Sequence, residues 1–205
     1  MFRGSFRNAI KNKKIKINRE MEKIILFTLT MVLSAVLVQS KYYSRSVAYE
    51  PVQLKKTNLR FYVHDTITGS NPTAVVIAHP NATSSSASPL FGRLIAIDDP
   101  LTEGPEISSK TIGNARGMYA FASKDDKELT LVLYVDLGFT SGKYKGSSLS
   151  VLSRNPILEN PREMTVVGGR GLFRHASGFI TVRTQSDDGE KGDAVLEYNV
   201  EVVHP

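Results

Sequence analysis

Residues 162–184 read REMTVVGGRGLFRHASGFITVRT, and the pattern of this stretch decides the fold class. Two apolar, β-branched runs lie on either side of Gly168-Gly169-Arg170-Gly171. That arrangement predicts a tight hairpin with glycine at positive φ. A phosphate cradle would need a helix after the glycines, and a second β run follows instead. Charged residues stand at the start (Arg162, Glu163) and along the second half (Arg174, His175, Arg183). They are either a site or edge charges, and the rest of the chain must decide which.

Strand-like alternation recurs on both sides of this hairpin. Upstream, Leu129, Leu131, Leu133, Val135 and Leu137 share one face of the run 128–139. Downstream, Ala194, Leu196, Tyr198, Val200 and Val202 share one face, with Glu197, Asn199 and Glu201 on the other. Further short β runs are read at 58–65, 73–79, 90–97, 112–123 and 143–152, with 80–89 and 98–106 (DDPLTEGPE) as loops. No helical period of useful length follows residue 40. Roughly eight or nine such strands with short turns indicate an all-β antiparallel sandwich or barrel. Glycines inside the runs (Gly92, Gly113, Gly117, Gly146, Gly178) favour an eight-stranded antiparallel β-barrel, in which strands must bend to close. The mouth of such a barrel is the natural place for a small ligand.

The formal charge of +6 is confined to the amino terminus. Arg3, Arg7, Lys11, Lys13, Lys14, Lys16 and Arg19 face only Glu20 in residues 1–20, and the chain from Lys41 onward is formally neutral. A neutral body has no footprint for a phosphate backbone, so no nucleic-acid partner is expected. Residues 21–40 (MEKIILFTLTMVLSAVLVQS) read as a secretory signal peptide. Their apolar run is shorter than the ~20 residues a spanning helix needs, so cleavage is favoured over a stable membrane association. Residues 1–20 then form a basic extension, disordered or a start-site artefact. Residues 41–57 read as a flexible leader, and 58–205 as the barrel. Asn81-Ala82-Thr83 is a glycosylation sequon in a serine-rich loop.

With no cysteine, thiolate nucleophiles, iron–sulfur clusters and cysteine zinc sites are excluded. His64, His79, His175 and His204 show no metal-ligand spacing, so no metal is expected. No redox-cofactor motif is present and no cofactor is expected. Acid–base and hydrogen-bond chemistry remains, from residues such as Asp65, Tyr119, Arg162 and Arg174. Read alone, Asp65 after FYVH can equally be a strand-end turn residue.

Several segments in order resemble the plant dirigent family, also called disease-resistance-response proteins. They are Phe61–Asp65 (FYVHD), the NATS loop at Asn81, Ala115–Tyr119 (ARGMY), Lys143–Leu149 (KYKGSSL), Arg162–Gly169 (REMTVVGG), Gly171–Arg174 (GLFR) and Tyr198–Val200 (YNV). The resemblance spans essentially all of residues 57–205. It implies a barrel of the allene-oxide-cyclase type, a homo-oligomer (trimer or dimer), and a glycosylated protein secreted to the apoplast. It implies stereoselective coupling of phenoxy radicals from monolignol-type phenols in phenylpropanoid and lignan biosynthesis, with a laccase or peroxidase as the radical source. Other members act on quinone methides as isomerases or dehydratases, as in pterocarpan formation; a barrel that only binds phenolics is the third reading.

By motif, the resemblance assigns Asp65 and Arg162 as the catalytic pair. Asp65 would be general acid or base, and Arg162 would hold a phenolic oxygen. It assigns Tyr119, Asn155 and Thr184 to substrate binding. Asn155 stands where pinoresinol-forming members carry an aspartate. An amide cannot act as a carboxylic acid, which points to a subgroup outside pinoresinol formation. Arg170 and Ser177 replace the threonine and arginine usual in the hairpin, which implies either a specificity different from that of close relatives or a weakening of the usual function.

Overall fold

The computed structural model of the chain describes residues 2–37, 43–48, 52–79, 88–188 and 192–205; for 2–12 and 34–37 the backbone alone is described. The chain divides into two compact units, Met1–Glu50 and Pro51–Pro205. The first contains one α-helix, α1 (Phe2–Leu37). It carries a Glu20–Lys23 pair one turn apart, and the Thr28 and Thr30 hydroxyls donate to carbonyls of the preceding turn. The basic extension, expected to be disordered, is therefore helical. Among the described residues no helix is long and apolar enough to cross a membrane. The small-residue end of the signal reading (Val38–Ser40) and the Asn81 sequon lie outside the described residues.

The second unit is built from nine strands: β1 (Lys55–Asp65), β2 (Ala74–Ala78), β3 (Leu94–Thr102), β4 (Thr111–Phe121), β5 (Thr130–Phe139), β6 (Ser148–Pro156), β7 (Arg162–Arg170), β8 (Ser177–Asp188) and β9 (Asp193–His204). They run antiparallel in the order β1-β9-β8-β7-β6-β5-β4-β3-β2, and β3 also pairs with β1. That last pairing closes an eight-stranded barrel. The short β2 pairs with the first half of β3, on the same edge that β1 takes at Leu101 and Thr102. One strand position is thus shared by β1 and β2.

The alternation in the sequence becomes the inside and the outside of this barrel. Leu131, Leu133, Val135, Leu137 and Phe139 of β5 are buried, as are Tyr198, Val200 and Val202 of β9. Each fully buried apolar side chain of this size contributes roughly 1.5–3 kcal/mol. One end of the barrel is plugged by aromatic rings. Phe173 lies 5.8 Å from Phe139, 4.7 Å from Tyr144 and 5.0 Å from the His204 ring, and Phe61 is 5.9 Å from Phe139. Pairs like these add about 0.5–1.5 kcal/mol each beyond area burial.

Four details depart from the sequence reading. β1 starts at Lys55, inside the stretch read as leader. The third strand is Leu94–Thr102, so the acidic DDPLT segment belongs to the sheet and Leu90–Gly92 to a turn. The hairpin turn falls at residues 171–176, after the glycine cluster. Gly168 and Gly169 continue β7, and only Gly171 of the cluster takes a positive φ. Of the glycines read as bends, Gly92 and Gly146 are turn residues with positive φ. Gly117 is an interior glycine whose place is set by close approach: a Cβ there would overlap the Tyr134 carbonyl oxygen of β5.

Candidate functional site

Opposite the aromatic plug, the barrel opens on a cavity of about 380 Å³. This lies in the range of roughly 300–1,000 Å³ usual for small-molecule sites. Val63, Ala115, Leu131, Leu133, Val135 and Leu196 make its apolar wall, and Leu129, Ile157 and Leu158 its rim. The five residues assigned through the family motifs, Asp65, Tyr119, Asn155, Arg162 and Thr184, all line it, whereas Arg174 is exposed and does not. The five fall into two groups on opposite arcs of the wall.

The first group is acidic. Asp65 ends β1, and Tyr119 on β4 donates its hydroxyl hydrogen to Asp65 Oδ2 at 3.2 Å. Asp65 Oδ1 is buried with no hydrogen-bond partner. Burial pushes the Asp65 carboxyl up to about 6, against the Tyr119 hydrogen bond and with help from the Asp193 charge. Burial also pushes the Tyr119 hydroxyl up, so it remains a donor. Asp99 completes this side. It is 1% exposed, lines the same cavity, and its Oδ1 is also unpartnered. Burial first, then the Asp65 charge, pushes its carboxyl up to about 8.

The second group is built around Arg162, the first residue of β7, which is 5% exposed. Its Nε donates to Asn155 Oδ1 on β6 at 2.6 Å. One terminal nitrogen donates to Thr184 Oγ1 on β8 at 3.0 Å and to the Glu159 carbonyl at 3.4 Å. Burial lowers its proton affinity, against the influence of Tyr198 and Asp187. Among the described residues no salt bridge includes it. Arg162 is therefore a buried cation held by neutral acceptors, which leaves its charge available to an incoming anion. Asn155, assigned to substrate binding, spends its oxygen on Arg162 and fixes the guanidinium plane. Thr184 Oγ1 accepts from Arg162 and keeps its own hydroxyl hydrogen to donate.

Tyr198 on β9 lies between the groups. Its ring packs on Phe61 at 5.8 Å, so it forms the floor where cavity meets plug. Burial, followed by the Asp99 charge, pushes its hydroxyl up.

Sequence reasoning missed Asp99 and Tyr198. Asp99 was assigned to a loop, yet Ile95, Ile97, Asp99 and Leu101 hold one parity, and counting it through would have turned Asp99 inward. Tyr198 enters the sequence reading only through the alternation of 193–203 and the YNV motif, with no role at the site. Conversely, Arg170 and Ser177 do not line the cavity. Arg170 is exposed and donates to Ser148 Oγ at 3.2 Å, and Ser177 is exposed. Both lie toward the plugged end of the hairpin, so they do not act on a ligand in this cavity.

Residues 56–203 match the family model described as Dirigent-like protein. The chain belongs to the dirigent family. It is 50% identical over 184 residues to Dirigent protein 15 of Arabidopsis thaliana, covering 88% of this chain and 97% of that one. It is 42% identical over 182 residues to Pterocarpan synthase 1 of Glycyrrhiza echinata, covering 88% and 95%. Among solved structures, the pterocarpan synthase dirigent protein GePTS1 superposes with a TM-score of 0.68 at 42% identity, covering 77% of this chain and 89% of that one. The dirigent barrel expected from the sequence motifs is thus the architecture of the chain, and pterocarpan synthases are among its relatives.

Proposed function

We propose that this dirigent chain binds a phenol bearing a benzylic hydroxyl, expels that hydroxyl as water, and steers closure of the resulting quinone methide. One observation carries this reading. A buried cation that no salt bridge engages among the described residues, Arg162, faces a proton-holding acid group, Asp65 with Asp99, across an apolar cavity. The acid side donates a proton to the leaving oxygen, and the carbon–oxygen bond breaks with its electron pair departing on water. The phenol loses its proton to solvent and becomes the quinone-methide carbonyl. Arg162 stabilises the negative charge on that oxygen. A second hydroxyl of the substrate then adds to the exocyclic carbon. Its proton returns to the acid side, and the phenol oxygen is reprotonated. The net change is loss of one water. Likeness to pterocarpan synthases at 42% identity supports this choice.

Control of phenoxy-radical coupling is the second reading. The first product of such coupling is itself a quinone methide, and the same two groups suit it. An external laccase or peroxidase supplies the radicals there. Chiral analysis of products with and without laccase separates the two. Turnover of a benzylic alcohol without oxidase is the expected result. No turnover, together with a racemic mixture when laccase is present, would refute both.

On this reading the chain is exported on its signal peptide to the apoplast and carries a glycan on Asn81. It also self-associates. Val75, Ala96, Met118, Tyr134 and Leu152 stand side by side across β2 to β6 on the outer wall. Four of the five are large and about half-exposed. Beside this row run Asp98, Arg116 and Asp136, with Asp98 and Arg116 paired at 3.0 Å. An apolar band with a mixed-charge rim suits a second copy of the chain.

A further inference from the structure

We propose that Asp65 and Asp99 share a single proton across the β1–β3 seam and work as one acid, with Asp99 as the inner, positioning member. The inference deepens the function proposed above, on which its role in turnover rests; the sharing itself requires no substrate. Pairing of Tyr62 with Thr102 and of Val63 with Leu101 fixes the antiparallel register. Two residues on, the start of β2 enters between the strands: Thr73 donates its N–H to the Thr66 carbonyl, and its own carbonyl accepts from Asp98 N–H, so Asp65 and Asp99 stand at the fork where β1 and β3 part. Both residues line the cavity, so the two carboxyl groups project to the same side. The Asp65 charge is felt at Asp99, so the two carboxyls are neighbours on that wall.

Each residue has one buried oxygen, Oδ1, with no partner. A proton on one Oδ1, donated to the other, satisfies both atoms at once. Without it, two like charges would face each other in an apolar wall, and such pairs do not ionise together. The surroundings favour retention of the proton. Tyr119 donates to Asp65 Oδ2 from β4, and the Asp193 and Asp98 charges oppose ionisation. A Thr73 hydrogen bond to Asp99 acts the other way. Arg93 is felt at Tyr119, Tyr198 faces the pair from β9, and Arg162 stands on the far arc. Burial raises both carboxyls, and the Asp65 charge raises Asp99 further. In turnover the shared proton passes to the leaving oxygen, and the proton of the adding hydroxyl restores it. The pair therefore ends each cycle with the one proton it began with.

The test follows aspartate side-chain carboxyl carbons, labelled with carbon-13, through a pH titration of the whole chain without substrate. Two coupled steps are expected in the unsubstituted protein. In Asp99→Asn the upper step is lost and a single step remains, lying between the two steps of the pair. In Asp65→Asn the two steps likewise collapse to one, below the upper step of the pair, which keeps the test intact if one variant does not fold. A step in Asp65→Asn as high as the upper step of the pair, or both carboxyls of the unsubstituted protein titrating as ordinary aspartates, would overturn the proposal. Coupled titration with turnover unaffected by either substitution would uphold the sharing and overturn the functional reading instead.

Discussion

Asp99→Asn should flatten the dependence of folding stability on pH. Asp99 is 1% exposed, and its carboxyl is pushed up from 3.8 to about 8. The sign follows from proton linkage. Below about pH 4 the folded and unfolded chains both bind this proton, and the stability from the neutral buried acid is fully present. Between about 4 and 8 only the folded chain holds it, so stability falls as pH rises. Above about 8 the folded chain must carry the buried charge, and that stability has been lost. Four units at roughly 1.4 kcal/mol each set a ceiling of ~5–6 kcal/mol. Part of the shift comes from the Asp65 charge, and the site can relax, so about 2–3 kcal/mol is the expected share. Urea unfolding of both proteins at pH 5 and pH 9 measures it. The substituted chain should lose about 2–3 kcal/mol less across that interval. Any fixed cost of the new amide appears at both pH values and cancels. Parallel curves for the two proteins would refute the assignment of Asp99 as a buried, proton-holding acid.

Arg162→Met should lower turnover by about 10²–10³-fold, the usual cost of removing a donor to a developing oxyanion. Its effect on stability should be smaller than three lost hydrogen bonds suggest, because an unpaired buried cation leaves with them; steady-state rates beside a melting curve check both, and a rate within tenfold of the original would count against the site. Asn155→Asp gives Arg162 a counter-ion at the position now 2.6 Å from Nε. It should raise the melting temperature and slow turnover at least ~10-fold, since the cation is then engaged; faster turnover would contradict the role given to the free charge. Gly117→Ala forces a methyl against the Tyr134 carbonyl oxygen and should cost more than about 3 kcal/mol or prevent folding, seen by loss of the β-sheet circular dichroism. Tyr134→Asp places a charge in the middle of the outer apolar band. It should dissociate the oligomer in sedimentation without changing the circular dichroism, and an unchanged sedimentation coefficient would move the contact elsewhere.

The strands were legible wherever one face met the core and the other met water. β5 and β9 alternate without interruption, and both lie close to the positions read for them. Legibility failed where that contrast failed. β3 mixes Asp98, Asp99 and Pro100 into its length, and composition made a loop of it. Yet one of these residues faces out to pair with Arg116 and another faces in to the cavity. The glycine cluster misled for a related reason. Gly169 lies in the strand because the Ser148 carbonyl and Phe173 leave no room for a Cβ, a tertiary demand that resembles a turn signal in sequence. At the site, Asp65, Tyr119, Asn155, Arg162 and Thr184 were found through family motifs. What those motifs could not convey was that Asn155 serves Arg162 directly, or that a second buried carboxyl, Asp99, lines the same cavity as Asp65.

The separation of the two charged groups follows from strand order, and it is what keeps the site reactive. Asp65, Asp99 and Tyr119 come from β1, β3 and β4, which are neighbours; Asn155, Arg162 and Thr184 come from β6, β7 and β8, also neighbours. Between the two arcs stand β9 on one side and β5 on the other. Had the arginine projected from β9 or β5, it would have met the carboxyls and formed a buried ion pair. The acid would then have lost its proton to that pair, and the cation would have no charge left for a phenolate. Keeping them apart leaves a cation with no salt bridge among the described residues and a singly protonated acid pair in an apolar cavity, both of which cost stability. The aromatic plug offsets that cost at the closed end, and Tyr198 joins the two regions, packing on Phe61 and lining the cavity. A substrate that brings an oxyanion to one arc and a basic leaving oxygen to the other would relieve both strains at once. On the function proposed above, the barrel favours the charge distribution of a departing hydroxyl and a forming quinone methide over that of a neutral phenol at rest.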